Sequence, residues 1–435
     1  MPTDNNFVFL RRETKLPSNM NIILQQKKLL GINGAGRIGK LTLWHHLLSR
    51  KFDGIVLNVG REVGKNLEDL VQSLTTDSTY GNLSFFLYGR AGKRCKIEIV
   101  DRDQHIVEID GLPVKVLMTE RNPHNINWKA EGVRVVVDCT GKFLDPSLAD
   151  NDGKGSIVGH LAGGAEHVIA SAPFKIKQTD FDATDTPTLI YGINHTNFDP
   201  SKHKVISAAS CTTTGLAHMI KPLLEDPEAC HVLTASLSTV HAATNTQSVL
   251  DAVPSARASD LRKNRSVFNN IILSSTGAAK TLEKVLPEVV HFGFMADSIR
   301  IPTPSVSLIT LNITFSSRMN PQGVPYISGD YIRDIYRRAA AGDQKDLLNF
   351  SMKQNVPMDL LGMPAAITIE GNEIHTRTGF LKIPTEILES MHLTNLPEIN
   401  IPVTHAKILG WYDNEFGSYV TCLGKLTEYI SNSLD

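Results

Sequence analysis

Residues 29–59 read LLGIN (29–33), GAGRIG (34–39), KLTLWHHLLSRKF (40–52) and, after Asp53, GIVLNV (54–59). A short apolar run, a glycine turn, apolar residues at helical spacing and a second apolar run predict strand, turn, helix and strand. Short apolar runs ending in small or polar residues recur in VRVVVDCTG (133–141), AEHVIASAP (165–173), TLIYGIN (188–194) and KVISAAS (204–210). They predict further buried parallel strands. Beyond Cys211 the runs lengthen and alternate, in CHVLTASLSTVHA (230–242) and SVSLITLNITFSS (305–317), with a helix over TGAAKTLEKVLPEV (276–289) between them. This second pattern predicts a separate domain on a mixed or antiparallel sheet. In the Pro- and Gly-containing stretch 318–400 one helix is clear, SGDYIRDIYRRAAAG (328–342), with Ser328 or Asp330 as cap and Gly342 as stop. The remainder of that stretch gives no assignment.

Composition narrows the classes. The chain has 435 residues, 41% hydrophobic and 20% charged, with a formal net charge of −1. At roughly 150 residues per domain this length suits about two to three domains. Near-neutral charge argues against a dedicated nucleic-acid site, and no apolar run approaches the roughly 20 residues of a membrane span. Five cysteines, an odd number without a C-x-x-C pair, argue against a disulfide scaffold or thiolate zinc site. No metal centre is expected, and a reducing compartment is. The first 28 residues are polar and mixed in charge, and read as a cytosolic extension or as a short helix packed on the body or a partner.

Gly34, Gly36 and Gly39 form G-x-G-x-x-G between the predicted strand and helix. Glycines there allow a tight turn and let helix N-terminal amides approach a pyrophosphate. The motif points to a dinucleotide; the plain alternative is a glycine turn packing a helix on a sheet. A carboxylate about 20 residues on would bind the ribose 2′-hydroxyl of NAD. Here the strand end reads Leu57, Asn58, Val59, Gly60, Arg61. No carboxylate stands there, Arg61 is available to a 2′-phosphate, and NADP stands beside NAD as cofactor. Glu62 fills the place if the strand runs longer, and Arg61 is otherwise a solvated arginine.

Cys211 follows a predicted strand and opens CTTTGLAHMIKPL, a helix start. A thiol at a helix N-terminus has a lowered pKa and yields thiolate. Ser210, Thr212 and Thr213 add hydroxyls. The plain reading is a buried cysteine beside capping hydroxyls. His241 ends the strand-rich stretch that follows, and Cys with His on a neighbouring strand makes an activated nucleophile. Thr244, Arg262, Ser275–Gly277 before a helix and Arg300 are anion-binding groups.

Taken together, NGAGRIG (33–39), SAASCTTTGLAHMIKPL (207–223), STVHAATNTQ (238–247), DLRKNRSVFNNIILSSTGAAK (260–280) and WYDNEFGSY (411–419) closely resemble the glyceraldehyde-3-phosphate dehydrogenase family. The resemblance covers most of 29–435, is weak over about 82–115 and 318–400, and is absent from the extension. It implies Cys211 as nucleophile on the aldehyde, and His241 as its base and then the polariser of the oxyanion. Hydride then leaves the hemithioacetal for the nicotinamide, and inorganic phosphate cleaves the thioester to an acyl phosphate. By resemblance Thr244 and Arg300 take the substrate phosphate, and Ser210, Thr276 and Gly277 the inorganic phosphate. Arg262 sits near both, and Thr212 joins the phosphate-binding hydroxyls. On the cofactor side Asn33, Gly34, Gly36, Arg37, Ile38 and Gly39 hold the pyrophosphate region, with Asn58 and Arg61 after the second strand. Arg121 and Asn122 lie by the adenine, Thr140, Gly141 and Ser171 line the path, and Asn414 binds the carboxamide.

Three departures stand out. Val59 replaces the family's acidic residue, as in members that accept NADP. Ser418 replaces a tyrosine that packs near the nicotinamide, with Tyr419 one place late. The chain also exceeds the family's usual length. The implied architecture is α/β: a Rossmann-type NAD(P)-binding domain over 29–209 and 414–435, and an α+β catalytic domain over 210–413. A cytoplasmic homotetramer acting on glyceraldehyde 3-phosphate and inorganic phosphate is implied. The rivals are an erythrose-4-phosphate dehydrogenase and a non-catalytic binding or regulatory protein on the same fold.

Overall fold

The computed structural model describes residues 28–90, 92–393 and 396–434, so the predicted extension lies outside them apart from Lys28. The chain divides into two compact units. One comprises the chain up to Tyr191, His195–Ser210 and the chain from Val420 on; the other comprises Gly192–Asn194 and Cys211–Tyr419.

The first unit carries β1 (Leu29–Asn33), β2 (Gly54–Asn58), β3 (Thr76–Asp77), β4 (Gly81–Asn82), β5 (Ile97–Asp101), β6 (Ile106–Ile109), β7 (Leu112–Leu117), β8 (Val133–Asp138), β9 (His167–Ala170) and β10 (Val205–Ser207). Its main sheet runs β10-β9-β8-β1-β2-β7-β6-β5. The six strands from β10 to β7 are parallel, and β6 and β5 extend them as an antiparallel hairpin. β1, β2 and β9 are buried along their whole length, which is why their sequences run apolar without alternation. The hairpin, with helix Leu83–Tyr88 before it, accounts for the weakly matching 82–115 segment. Chain order reverses between β1 and β8. Loops after their carboxyl ends, 34–39 and 139–141, therefore open on the crevice where parallel sheets bind ligands.

Gly34 makes that turn possible. Its φ of +96° lies in the left-handed region, and a Cβ there would press on Thr140. Gly39 packs tighter: a Cβ would stand 1.8 Å from the Gly34 carbonyl oxygen. Gly36 has nothing within 4 Å and is exposed.

The second unit holds β11 (Val232–Ala242), β12 (Ile272–Ser275), β13 (Gly293–Ile301), β14 (Ser307–Ser316), β15 (Leu348–Ser351), β16 (Ile367–Glu370), β17 (His375–Ile383) and β18 (Ile399–Tyr412). Seven form the order β12-β13-β11-β14-β18-β16-β15, with β17 paired to β18. The sheet is mixed: β11 and β13 are parallel, β14 is antiparallel to β11 and to β18. Strict alternation of buried and half-buried residues along β14 marks a sheet with one covered face. Helix Cys211–Glu225 lies against it, and the fully buried Tyr336 of helix Gly329–Ala341 donates its hydroxyl to the Met219 carbonyl at 2.8 Å. Ser328 caps that second helix through the Tyr331 N–H, and Gly342 ends it, as its sequence predicts.

Two expectations change. TLIYGIN (188–194) makes one bridge, Thr188 to Ser207, and then turns through Tyr191 and Gly192, whose φ is +81°. It is not a strand. The 276–289 helix runs only Ala278–Val285, because Pro287 disfavours a helical Leu286. The first compact unit resumes at Val420, and Ser305 and Ser307 hold Asp413 and Asn414 at 3.0 Å each.

Gly39→Ala is expected to lower stability by about 2–3 kcal/mol or more through backbone overpacking, and Gly36→Ala by under about 1 kcal/mol. Denaturant midpoints of the two variants check this.

Candidate active site

Four strands of the second unit deliver four side chains to one end of its sheet. Register pairs His241 of β11 with Arg300 of β13, and Ser307 of β14 with Tyr412 of β18. Cys211 is the first residue of its helix, reached through Ala209, which holds a left-handed φ of 56° while fully buried. That strained residue turns the chain sharply from β10 into the helix.

The Cys211 Sγ stands 3.6 Å from His241 Nε2. On the far side of the ring, Nδ1 lies 2.8 Å from the Ala242 carbonyl oxygen and 2.6 Å from Arg300 Nη1. These contacts imply two tautomers. If Nδ1–H donates to Ala242, the Nε2 lone pair faces the thiol as a base. If Nδ1 instead accepts from Arg300, the Nε2–H faces the sulfur. Arg300 also donates to the Ala242 oxygen at 3.3 Å, and its Nε is a buried N–H without a partner among the described residues. An anion there would satisfy it.

Electrostatics keep the resting pair uncharged. Burial, aided by the Arg300 charge, holds the His241 imidazole at a pKa of about 3. Contrary to the lowering expected at a helix start, burial pushes the Cys211 thiol above its ordinary value, against the pull of Arg300 and hydrogen bonds from Thr212. Burial likewise lowers Arg300 from the usual guanidinium range.

Tyr412, which the sequence reading left without a role, lies within the quoted WYDNE segment. Its buried hydroxyl bonds Thr212 at 2.9 Å and Thr239 at 2.8 Å, and its ring meets the His241 ring edge to face at 6.0 Å. Thr212 thus turns its hydroxyl to Tyr412. Ser307 accepts from the Ala242 N–H and donates to Asn414 Oδ1, both at 3.0 Å, leaving the Asn414 amide N–H groups to donate. Ser418 closes the loop by accepting from the Asp413 N–H at 2.9 Å.

The other expected phosphate groups lie on neighbouring segments. Thr276 and Gly277 follow β12, whose Ile272 pairs with Arg300, and Gly277 caps helix Ala278–Val285 without a side-chain bond. Thr244 bonds Thr246 and Gln247, and the exposed Arg262 forks onto Asp260 at 2.8 and 3.3 Å.

In the first unit the expected cofactor residues stand at or after the ends of β1, β2, β7, β8 and β9. Helix Arg37–Ser49 begins at Gly36 with no side-chain cap, so its positive dipole end faces the glycine turn. Below, Trp128 Nε1 donates to His160 Nδ1 at 2.9 Å. Indole only donates, so the His160 proton sits on Nε2 and goes to Asp138 Oδ2 at 3.1 Å. Asp138 also accepts from Asn33 at 2.7 Å and from the Thr140 N–H and hydroxyl at 3.0 and 2.6 Å. Asn58 donates to Asn33 Oδ1 at 2.8 Å. Asn33 and Asn58 are buried, so their side chains brace the crevice floor. Ser171 donates its N–H to the Asp138 carbonyl, and Gly141 takes a φ of +64°. Ile38 follows Arg37, which ion-pairs with Asp77 at 3.0 Å, and Arg121 bonds the Gly60 carbonyl at 3.1 Å. β2 ends at Asn58, and Arg61 and Glu62 are both exposed beyond it. The uncapped helix start, the open Gly36 and the braced floor fit a dinucleotide pyrophosphate.

Because His241 folds with a pKa of about 3 against 6.5 ordinarily, the unfolded chain binds its proton more readily. Its contribution to stability is present above about pH 6.5 and is lost as pH falls toward 3. Unfolding measured at neutral pH and between pH 4 and 5 is expected to show a smaller acid loss for His241→Gln than for the parent.

The comparisons with known proteins cover both units. Residues 28–146 match the glyceraldehyde 3-phosphate dehydrogenase NAD-binding domain, and residues 210–385 match the C-terminal domain of that family. The chain is 32% identical to glyceraldehyde-3-phosphate dehydrogenase 2 of Streptomyces avermitilis, over 93% of this chain and 99% of that protein. It is also 32% identical to the Streptomyces coelicolor enzyme over the same shares, and 31% identical to that of Danio rerio over 89% of this chain and 94% of that one. With both domain types matched in order, the chain belongs to the glyceraldehyde-3-phosphate dehydrogenase family.

Proposed function

We propose that the chain is a phosphorylating glyceraldehyde-3-phosphate dehydrogenase in which Cys211 is the nucleophile and His241 its base. The observation that carries this is the Cys211 Sγ to His241 Nε2 approach of 3.6 Å, with Nδ1 beside the Ala242 carbonyl. In the basic tautomer Nε2 takes the thiol proton as sulfur adds to the aldehyde carbon, giving a hemithioacetal; the imidazolium then donates toward the developing alkoxide. Bound NAD(P) supplies the hydride acceptor. Loss of hydride, with the hydroxyl proton returning to Nε2, leaves a thioester on Cys211, and a phosphate oxygen displaces the Cys211 thiolate to give the acyl phosphate. An anionic substrate group that draws Arg300 away from Nδ1 leaves Ala242 as that nitrogen's partner, which favours the basic tautomer. Substrate phosphate and base are thus coupled through one guanidinium. Thr244 joins Arg300 in this role, and Ser210, Thr276, Gly277 and Arg262 serve the attacking phosphate.

Cofactor preference follows the end of β2. With Val59 in place of a carboxylate and exposed Arg61 beyond it, we infer use of NADP beside NAD. A homotetramer is supported by apolar side chains exposed on the second unit, among them Phe268, Ile271, Leu273 and Met295. A cytoplasmic setting is supported by five free cysteines, and no helix among the described residues is long and apolar enough to cross a membrane. We place the domain exchange at Ser210/Cys211 and near Tyr419.

Purified protein with glyceraldehyde 3-phosphate is expected to reduce nicotinamide cofactor only when inorganic phosphate is present, and Cys211→Ser to lose this by at least about a thousandfold. Turnover with erythrose 4-phosphate alone would reassign the substrate. Combining Val59→Asp with Arg61→Ala is expected to raise the NAD to NADP ratio of kcat/KM at least about tenfold; an unchanged ratio removes Arg61 from cofactor choice.

A further inference from the structure

Helix Arg37–Ser49 carries two adjacent histidines, His45 and His46, that the proposed reaction does not use. Both are buried: His46 has no exposure and His45 has 9%. The second helix at this place is Thr421–Asn432, whose Gly424 makes the approach possible. A Cβ on Gly424 would lie 2.2 Å from the His45 ring. One helical turn further on, at the position on the same face, stands Glu428.

Its carboxylate oxygen Oε1 is 3.5 Å from His45 Nε2 and 3.6 Å from His46 Nδ1. The three ligand atoms lie within 4.8 Å of one another. None of the three is in a hydrogen bond among the described residues, nor are His46 Nε2 and Ser49 Oγ beside them. Buried polar atoms are normally paired, so their convergence without partners is the anomaly to be explained. Too far apart to bond each other, they are spaced to share an ion. Tetrahedral zinc with bonds of about 2.0–2.1 Å sets its ligand atoms about 3.3–3.4 Å apart, and two of the three separations already approach that value. Two neutral imidazoles and a carboxylate suit zinc, with a water on the fourth position. Glu428 is half-buried at the rim and provides the way in.

We propose that His45, His46 and Glu428 bind a divalent transition cation, zinc by the chemistry of the donors, and that the ion staples helix Arg37–Ser49 to helix Thr421–Asn432. The site lies wholly within the first unit, so its role is structural. Binding fastens the C-terminal helix without touching the chemistry of Cys211.

The test uses the full chain carrying Cys211→Ser, which removes the thiol placed beside a histidine from competition for metal. Titration with Zn²⁺ and with Co²⁺ is expected to show one equivalent per chain, with tetrahedral Co²⁺ absorption and no thiolate charge-transfer band. Saturating Zn²⁺ is expected to raise the melting midpoint by a few degrees. Glu428→Gln and His45→Gln in the same background are each expected to weaken binding at least about tenfold and to abolish that rise. Binding only at millimolar metal, weak octahedral absorption, or affinity unchanged in both variants would overturn the proposal. The parent spectrum decides on its own if either variant fails to fold.

Discussion

Strand register at one end of the mixed sheet is the constraint on which the second unit's chemistry depends. β13, β11, β14 and β18 lie side by side and present Arg300, His241, Ser307 and Tyr412 at that end. A slip of one residue in any pair would send its side chain to the other face. Alternation along β14 fixes the register by burying Leu311, Ile313 and Phe315, far more apolar surface than the polar end exposes. Packing elsewhere in the sheet thus holds His241 within reach of sulfur.

Given that placement, backbone carbonyls and buried partners set protonation. The Ala242 oxygen gives Nδ1 an acceptor, and burial keeps imidazole and thiol neutral until a substrate arrives. Arg300 is the variable element, since its guanidinium competes for Nδ1 and retains an N–H unpartnered among the described residues. The first unit solves a similar problem with a fixed answer. There Trp128 dictates the His160 tautomer, His160 and Asn33 hold Asp138, and Asp138 holds Thr140 beside the glycine turn. A donor-only indole at the bottom of the chain leaves no second arrangement, as suits a rigid crevice floor.

Much of this was legible along the chain because it depends on local pattern. Runs dominated by apolar residues marked β1, β2, β8 and β9, and the cap and stop of helix Gly329–Ala341 stood at Ser328 and Gly342. TLIYGIN read as a strand because its apolar content matches one, yet Gly192 turns it away after one bridge. β12 and β13 went unread because only one residue of each, Ile272 and Ser298, is buried and their pattern is weak. Tyr412, Ser307 and Asp138 were visible as letters but not as parts, since each acts through partners distant in sequence. The adjacent histidines likewise draw no attention until Gly424 brings their helix against the one bearing Glu428.

The sequence by itself determined the glycine turn, the helix-opening cysteine, the order of the two patterns and the family resemblance, because these are set by near neighbours and by residue type. Tertiary structure alone decided that His241 faces Cys211, that Arg300 competes for the same imidazole, that Asn33 and Asn58 brace the floor of the crevice, and that the chain returns to the first unit at Val420. Each of these depends on which strands and helices lie side by side. That choice is made by the burial of apolar faces summed over a whole unit, which no local stretch encodes.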